Sequence, residues 1–207
     1  MNSGLPNLPV DCKEMWFENN VDHFSWGPNP LNVSVWKQRY FRCDKFWKPH
    51  QRHQSGEEGF RPIFFYCGNE APVELYVNAT GLIYEAASLF GALVIFAEHR
   101  YYGQSLPFGK RTFHHMGYLS HEQALADYAA LLSSLRSSPP LLDAPVVAFG
   151  GSYGGMLAAW MRQKYPHLVV GSIAASAPVL AFPHLRPAWD PSSYWRVVTA
   201  NFRDPAA

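Results

Sequence analysis

Two spacings of apolar residues divide the chain near residue 63. Before it, residues 17–24 and 35–42 are rich in aromatic and β-branched side chains, and Gly27-Pro28-Asn29-Pro30 between them reads as a turn, so the two stretches predict an antiparallel pair. Residues 1–15 are polar and Pro-containing and read as a loose lead-in, and residues 50–61 as an exposed polar loop. Beyond residue 63, continuous apolar runs at 63–66, 92–97 and 146–149 have the length of strands buried on both faces, with a further strand expected at 171–176. Between these runs the spacing is helical. Residues 80–90 form one expected helix. A second opens at Ser120 with Gln123 as a capping box and carries Ala124, Leu125, Tyr128, Leu131, Leu132 and Leu135 on its apolar stripe. A third places Met156, Leu157, Trp160, Met161 and Lys164 at helical intervals. Strands alternating with helices predict a mostly parallel sheet with helices on both faces, preceded by antiparallel N-terminal strands.

Composition narrows the function classes. Of the 207 residues 48% are apolar and 16% charged, which is a core-forming balance. Lys and Arg number 17 against 16 Asp and Glu, so the formal net charge of +1 gives no electrostatic case for nucleic acid or an anionic membrane. No run approaches the roughly 18 apolar residues of a membrane span, and the N-terminus shows no apolar signal-peptide core. Asn32-Val33-Ser34 and Asn78-Ala79-Thr80 are acceptor triplets for N-glycosylation. Cys12, Cys43 and Cys67 are odd in number, so at least one has no partner within the chain; the pairing itself stays open. No repeat and no metal-ligand spacing is visible; His50 with His53 and His114 with His115 read as solvated loop residues. No metal and no cofactor is expected.

The chemistry concentrates at Gly150-Gly151-Ser152-Tyr153-Gly154-Gly155, which contains G-x-S-x-G between an expected strand and an expected helix. Such a turn is too tight for side chains at Gly150 and Gly154. It lifts the Ser152 hydroxyl above the sheet, beside the positive end of the helix dipole. The Tyr153 backbone N–H is then one oxyanion donor, and the loop after the run at 63–66 offers a second from Glu70 or Asn69. The competing reading is a Gly-rich strand–helix turn with a capping serine. His99 follows a strand, but in this type of site the histidine comes after the nucleophile, so Glu98-His99-Arg100 is read as a polar loop-packing network. After Ser152 come only His167, His184, Asp190 and Asp204. His167 stands 15 residues along, about 22 Å up a straight helix, and His184 precedes Asp190. The nucleophile half of a triad is legible and the acid–base half is not.

At these residues the chain resembles the serine exopeptidase family of lysosomal Pro-X carboxypeptidase and dipeptidyl peptidase 2. The resemblance rests on residues 21–24 (VDHF), 64–70 (FFYCGNE), 96–107 (FAEHRYYGQSLP), 122–128 (EQALADY), 150–155 (GGSYGG), 164–168 (KYPHL) and 174–178 (AASAP), which span nearly all of 16–182. It implies an α/β-hydrolase fold with Ser152 as nucleophile. It also implies cleavage of short peptides next to proline, or after a penultimate small residue, in a lysosomal or secreted setting. It further implies a helical cap inserted after the strand at 171–176, then the remaining strands with the catalytic Asp and His. Residues 16–182 would be the N-terminal part of the hydrolase domain and 183–207 the start of the cap. The chain thus reads as an N-terminal fragment, a truncated gene model or a short isoform that is inactive alone, with a homodimer as the assembly to test for in the full-length form.

The sequence departs from the family in places. Ala71-Pro72 follow Glu70 where the family carries Gly-Asp, and Pro72 lacks an N–H beside the expected oxyanion loop. Cys67 stands where threonine is common. Phe149, Pro178-Val179-Leu180 and residues 198–202 lean towards dipeptidyl peptidase 2, and Trp160 with Val21-Asp22-His23 towards Pro-X carboxypeptidase, with a slight balance to the former. Two other readings stand beside it: a lipase or esterase of the same fold, and a hydrolase-like module without catalysis.

Overall fold

The computed structural model describes residues 12–27, 31–47, 61–137 and 139–203. Six strands form one sheet: β1 (Cys12–Asn20), β2 (Val35–Cys43), β3 (Ile63–Cys67), β4 (Leu93–Ala97), β5 (Val146–Gly151) and β6 (Val169–Ala175), in the order β1-β2-β4-β3-β5-β6. β1 and β2 are an antiparallel pair, and β2 runs antiparallel to β4. From β4 onward the neighbours β4–β3, β3–β5 and β5–β6 are parallel. The expected architecture, a mostly parallel sheet with antiparallel N-terminal strands, is the one observed.

Every residue of β3 and β4 is buried, because helices cover both faces. The alternation of β3 shows how. Ile63, Phe65 and Cys67 pack with Leu125, Tyr128 and Leu132 of α3 (His121–Leu135) and with Leu157 and Met161 of α4 (Tyr153–Lys164). Phe64 and Tyr66 face the opposite way, into Val77 of α1 (Glu74–Ala79) and Ile83 and Ala87 of α2 (Gly81–Phe90). Gly91, at φ 60, supplies the left-handed residue that closes α2.

Several expectations need correction. The lead-in expected over residues 1–15 contains the start of a strand: β1 begins at Cys12 and ends at Asn20, where the sequence suggested 17–24. Its register places Cys12 opposite Cys43, and a disulfide joins the two, leaving Cys67 as a buried free thiol. The exposed residues 13–16, two charged and two apolar, show no strand period and hid this edge strand, which backbone pairing and the disulfide hold in place. Helix α1 was not anticipated, because its six residues are too few to show a period. β6 begins two residues before the expected 171. Ser120 does cap α3, accepting from the Gln123 N–H at 3.3 Å. The Gln123 side chain does not return the bond; it donates to Asp22 Oδ1 and accepts from the His23 N–H instead. Residues 28–30 of the expected turn at 27–30 and most of the loop at 50–61 lie outside the described residues.

The chain divides into two compact units, Met1–Ala177 and Pro178–Ala207. The second holds α5 (Ser193–Arg203). Just before it, Asp190 accepts hydrogen bonds from the Ser192 N–H at 2.8 Å and hydroxyl at 2.7 Å and pairs with Arg196. Among the described residues no helix is long and apolar enough to cross a membrane.

Candidate active site

The carboxyl ends of the parallel strands β3, β4 and β5 bring together the sequence segments singled out above. Ser152 stands between β5 and α4, exposed, with φ 55 and ψ −125. A non-glycine residue in that region stores roughly 1–3 kcal/mol of backbone strain and needs a surrounding that over-determines it. The surrounding is visible. The Ser152 N–H donates to Ala175 O at 3.0 Å, and the Met156 N–H donates to Ser152 O at 3.0 Å. A β-carbon at Gly150 would stand 2.0 Å from Gly154 O, and one at Gly154 would stand 2.7 Å from Cys67 O. Both glycines are therefore required by the approach of strand, helix and the β3 loop.

The loop after β3 is tied to this turn. Asn69 is buried, and its Nδ2 donates to Gly151 O at 3.3 Å, immediately before Ser152. Glu70 is exposed beside it. The loop starts with the Gly68 N–H on Ala97 O at 3.0 Å and the Tyr128 hydroxyl on Gly68 O at 2.7 Å. The structure thus brings Ser152, Tyr153, Asn69, Glu70, Gly150 and Gly154 to one end of the sheet.

His99 reaches the same place without facing Ser152. Its Nδ1 lies 2.6 Å from Arg100 O, a carbonyl, so Nδ1 carries the proton. Burial pushes the imidazole down to about 4, so the ring is neutral at ordinary pH and the bare Nε2 accepts from the Tyr153 hydroxyl at 3.0 Å. His99 acts on the elbow through a side chain. Arg100 forms a fork on Asp127, with 2.6 Å from Nε to Oδ2 and 2.7 Å from Nη2 to Oδ1, and also donates to Val21 O and Tyr118 O. His23 Nε2 stands 2.8 Å from Asp127 Oδ1. Residues from 21–24, 98–100 and 122–128 therefore meet in one buried polar network, which matches the loop-packing reading of this stretch.

After Ser152, α4 ends at Lys164 and His167 lies in the turn beyond it, not on the helix itself. Twelve helical residues separate the two ends by about 18 Å. Asp190 is engaged with Ser192 and Arg196 within the second unit, which lowers its carboxyl to about 2. Asp204 lies outside the described residues, as do His50 and His53. His114 is exposed, while His115 is half-buried with its ring against Phe108.

A serine held on a strained strand-to-helix turn at the carboxyl end of parallel strands has the geometry of a nucleophile elbow. The profile described as "Serine carboxypeptidase S28" matches residues 19–205. The chain belongs to the serine carboxypeptidase S28 family. This S28 chain is similar to human lysosomal Pro-X carboxypeptidase, 43% identical over 205 residues that make up 97% of the chain and 38% of the relative. It is also similar to human thymus-specific serine protease, 38% identical over 185 residues, 87% of the chain and 32% of the relative. It thus spans well under half the length of these S28 peptidases. Among solved structures, the peroxisomal α/β-hydrolase Lpx1 of Saccharomyces cerevisiae superposes with a TM-score of 0.53 at 14% identity, over 89% of this chain and 50% of that one. The fold is that of the α/β-hydrolases.

Two participants go beyond what the sequence shows. The sequence points to Asn69 for its backbone N–H, whereas its side chain ties the loop to the elbow. Glu98 was grouped with its neighbours, although a lone carboxylate directly after five buried apolar residues signals a group that must find donors in the interior.

Proposed function

We propose that Ser152 is the nucleophile of a serine exopeptidase that cleaves short peptides next to proline in a lysosomal or secreted setting. The observation that carries the reading is the exposed Ser152 at φ 55 between β5 and α4, with Gly150 and Gly154 occupying positions a β-carbon would block. Attack by its oxygen on a peptide carbonyl would place the developing negative charge at the amino end of α4. There the Tyr153 N–H precedes any intrahelical partner, and the Asn69–Glu70 segment supplies a second donor. The disulfide between Cys12 and Cys43 supports an oxidising compartment. Asn32 and Asn78 are both exposed and available for glycan. Residues 183–207 are assigned to the start of a cap insertion. His99 and Asp127 are committed to other partners and α4 separates His167 from Ser152, so none of these three is assigned to its activation.

The test is to incubate the full-length protein with a fluorophosphonate and with peptides carrying proline at the penultimate position, at acidic pH, beside a Ser152→Ala variant. Labelling and turnover are expected, both lost in the variant; labelling that persists in Ser152→Ala would remove the assignment. Residues 1–207 expressed alone are expected to turn peptides over about 10⁴- to 10⁶-fold more slowly, since an unactivated serine keeps only binding and oxyanion effects. Intact mass before and after glycosidase treatment reads out the two asparagines.

A further inference from the structure

The loop carrying Asn69 and Glu70 is pinned at its near end by Gly68 and by the Asn69 side chain. Between Asn69 and Val73 the Ala71 N–H turns back onto Asn69 O at 2.8 Å, Pro72 has no N–H to give, and the Pro72 carbonyl accepts from the Leu75 N–H at 3.2 Å at the start of α1. Its far end is held from an unexpected direction. The Val73 N–H donates to Glu98 Oε1 at 3.1 Å, and Glu74 Oε1 accepts from Arg39 Nη2 at 2.7 Å.

Glu98 is the hub of that anchorage. It is fully buried. Its second oxygen accepts from the Gln104 N–H at 2.9 Å, and the Ser105 hydroxyl beside it accepts from the Arg39 N–H at 2.9 Å. Gly103, at φ +56, leaves the space: a β-carbon there would stand 1.9 Å from Glu98 Oε1. Arg39, also fully buried, approaches Glu98 at 3.6 Å while pairing with Glu74 at 2.7 Å and Glu14 at 3.1 Å. A carboxylate withdrawn this far from water is costly unless its donors are fixed, and one of the donors chosen belongs to the loop next to the elbow.

We propose that Glu98 is a positioning residue of the Ser152 site. Its carboxylate, with the Arg39–Glu74 pair, fixes the far end of the loop and so sets the Asn69–Glu70 peptide opposite Ser152 at the separation an oxyanion donor requires. The inference rests on the reading of Ser152 as nucleophile. Glu98 touches neither substrate nor reacting atoms; it acts through Val73.

The experiment compares Glu98→Gln with Thr112→Val in the full-length protein. Glu98→Gln keeps the shape but presents an NH2 where one backbone N–H needs an acceptor. Thr112→Val removes a buried acceptor in the segment after β4, that of the Phe108 N–H at 3.0 Å, and leaves the Val73 bond intact. Expected in Glu98→Gln are at least tenfold faster amide exchange at Val73, with β3 and β4 amides unchanged, and a kcat at least tenfold lower with KM within threefold. Thr112→Val is expected to leave Val73 exchange and kcat within threefold. Unchanged Val73 exchange in Glu98→Gln overturns the proposal, as does faster exchange with unchanged kcat, or an equal kcat loss in both variants. Should Glu98→Gln fail to fold, Glu74→Gln removes the other half of the anchor and is read by the same criteria. A wild-type protein without Ser152-dependent turnover sinks the proposed function, and Val73 exchange alone then decides whether Glu98 holds the loop.

Discussion

At the scale of single residues, the elbow is a problem of excluded volume solved by glycine. Gly150→Ala would drive a methyl to 2.0 Å from Gly154 O, and Gly154→Ala to 2.7 Å from Cys67 O, both fixed backbone atoms. Each substitution is expected to cost about 1–3 kcal/mol or more, with Gly150→Ala the larger, as read from urea unfolding midpoints. A Gly154→Ala protein as stable as wild type would mean that the β3 loop can retreat from the helix. These glycines and Ser152 were legible in the sequence because their reason is local: strand, turn and helix lie within a dozen residues. Glu98 and Asn69 were not legible in the same way. Their partners, Val73 and Arg39 for one and Gly151 for the other, lie tens of residues away, and only the fold brings them together. His99 reads as a packing residue from its place before the nucleophile, but its bond to the Tyr153 hydroxyl has no sequence signal, since either ring nitrogen could have faced any donor.

At the scale of elements, legibility followed burial. β3 and β4 read as strands because both faces are covered and no polar position interrupts them. β1 lies at the sheet edge with most of its residues exposed, so period and polarity gave no warning of residues 12–16. Its attachment rests instead on the β2 register and on the disulfide, which closes a stretch with a sequence separation of 31. Chain-entropy arguments assign such a closure about 3–4 kcal/mol. Cys12→Ser with Cys43→Ser is therefore expected to lower the unfolding free energy by about that amount. Reductant should produce the same shift in wild type and none in the double variant; a shift below about 1 kcal/mol would show that β1 contributes little to the cooperative unit. Cys67 should not interfere, since burial pushes its thiol far above the usual range and keeps it protonated.

At the scale of the whole molecule, two buried neighbours give stability opposite dependences on acidity. His99 is held neutral down to about 4, whereas the unfolded imidazole takes up its proton near 6.5. Its contribution is complete above pH 6.5 and is lost as pH falls from 6.5 towards 4, by about 3 kcal/mol in all. Glu98 works the other way. Burial raises its carboxyl, so the folded state keeps a proton that the unfolded chain has released, and this contribution is present in acid and lost as pH rises above about 4.5. Thermal unfolding between pH 7 and 4.5 is expected to show a falling midpoint, flatter in His99→Gln and steeper in Glu98→Gln; parallel curves for all three proteins would contradict both assignments. The strand order also governs how the molecule comes into being. β4 lies between β2 and β3, although it is made after both. A ribosome that has delivered residues through Phe90 has produced a hairpin and a lone apolar strand with nothing to join them. The nascent chain must wait for five residues, Leu93–Ala97, which zip antiparallel to one and parallel to the other. Vectorial synthesis therefore leaves the hairpin and β3 unjoined until β4 emerges, and leaves the second edge of β3 open until β5 follows about fifty residues later, a delay in which exposed strand edges invite wrong partners.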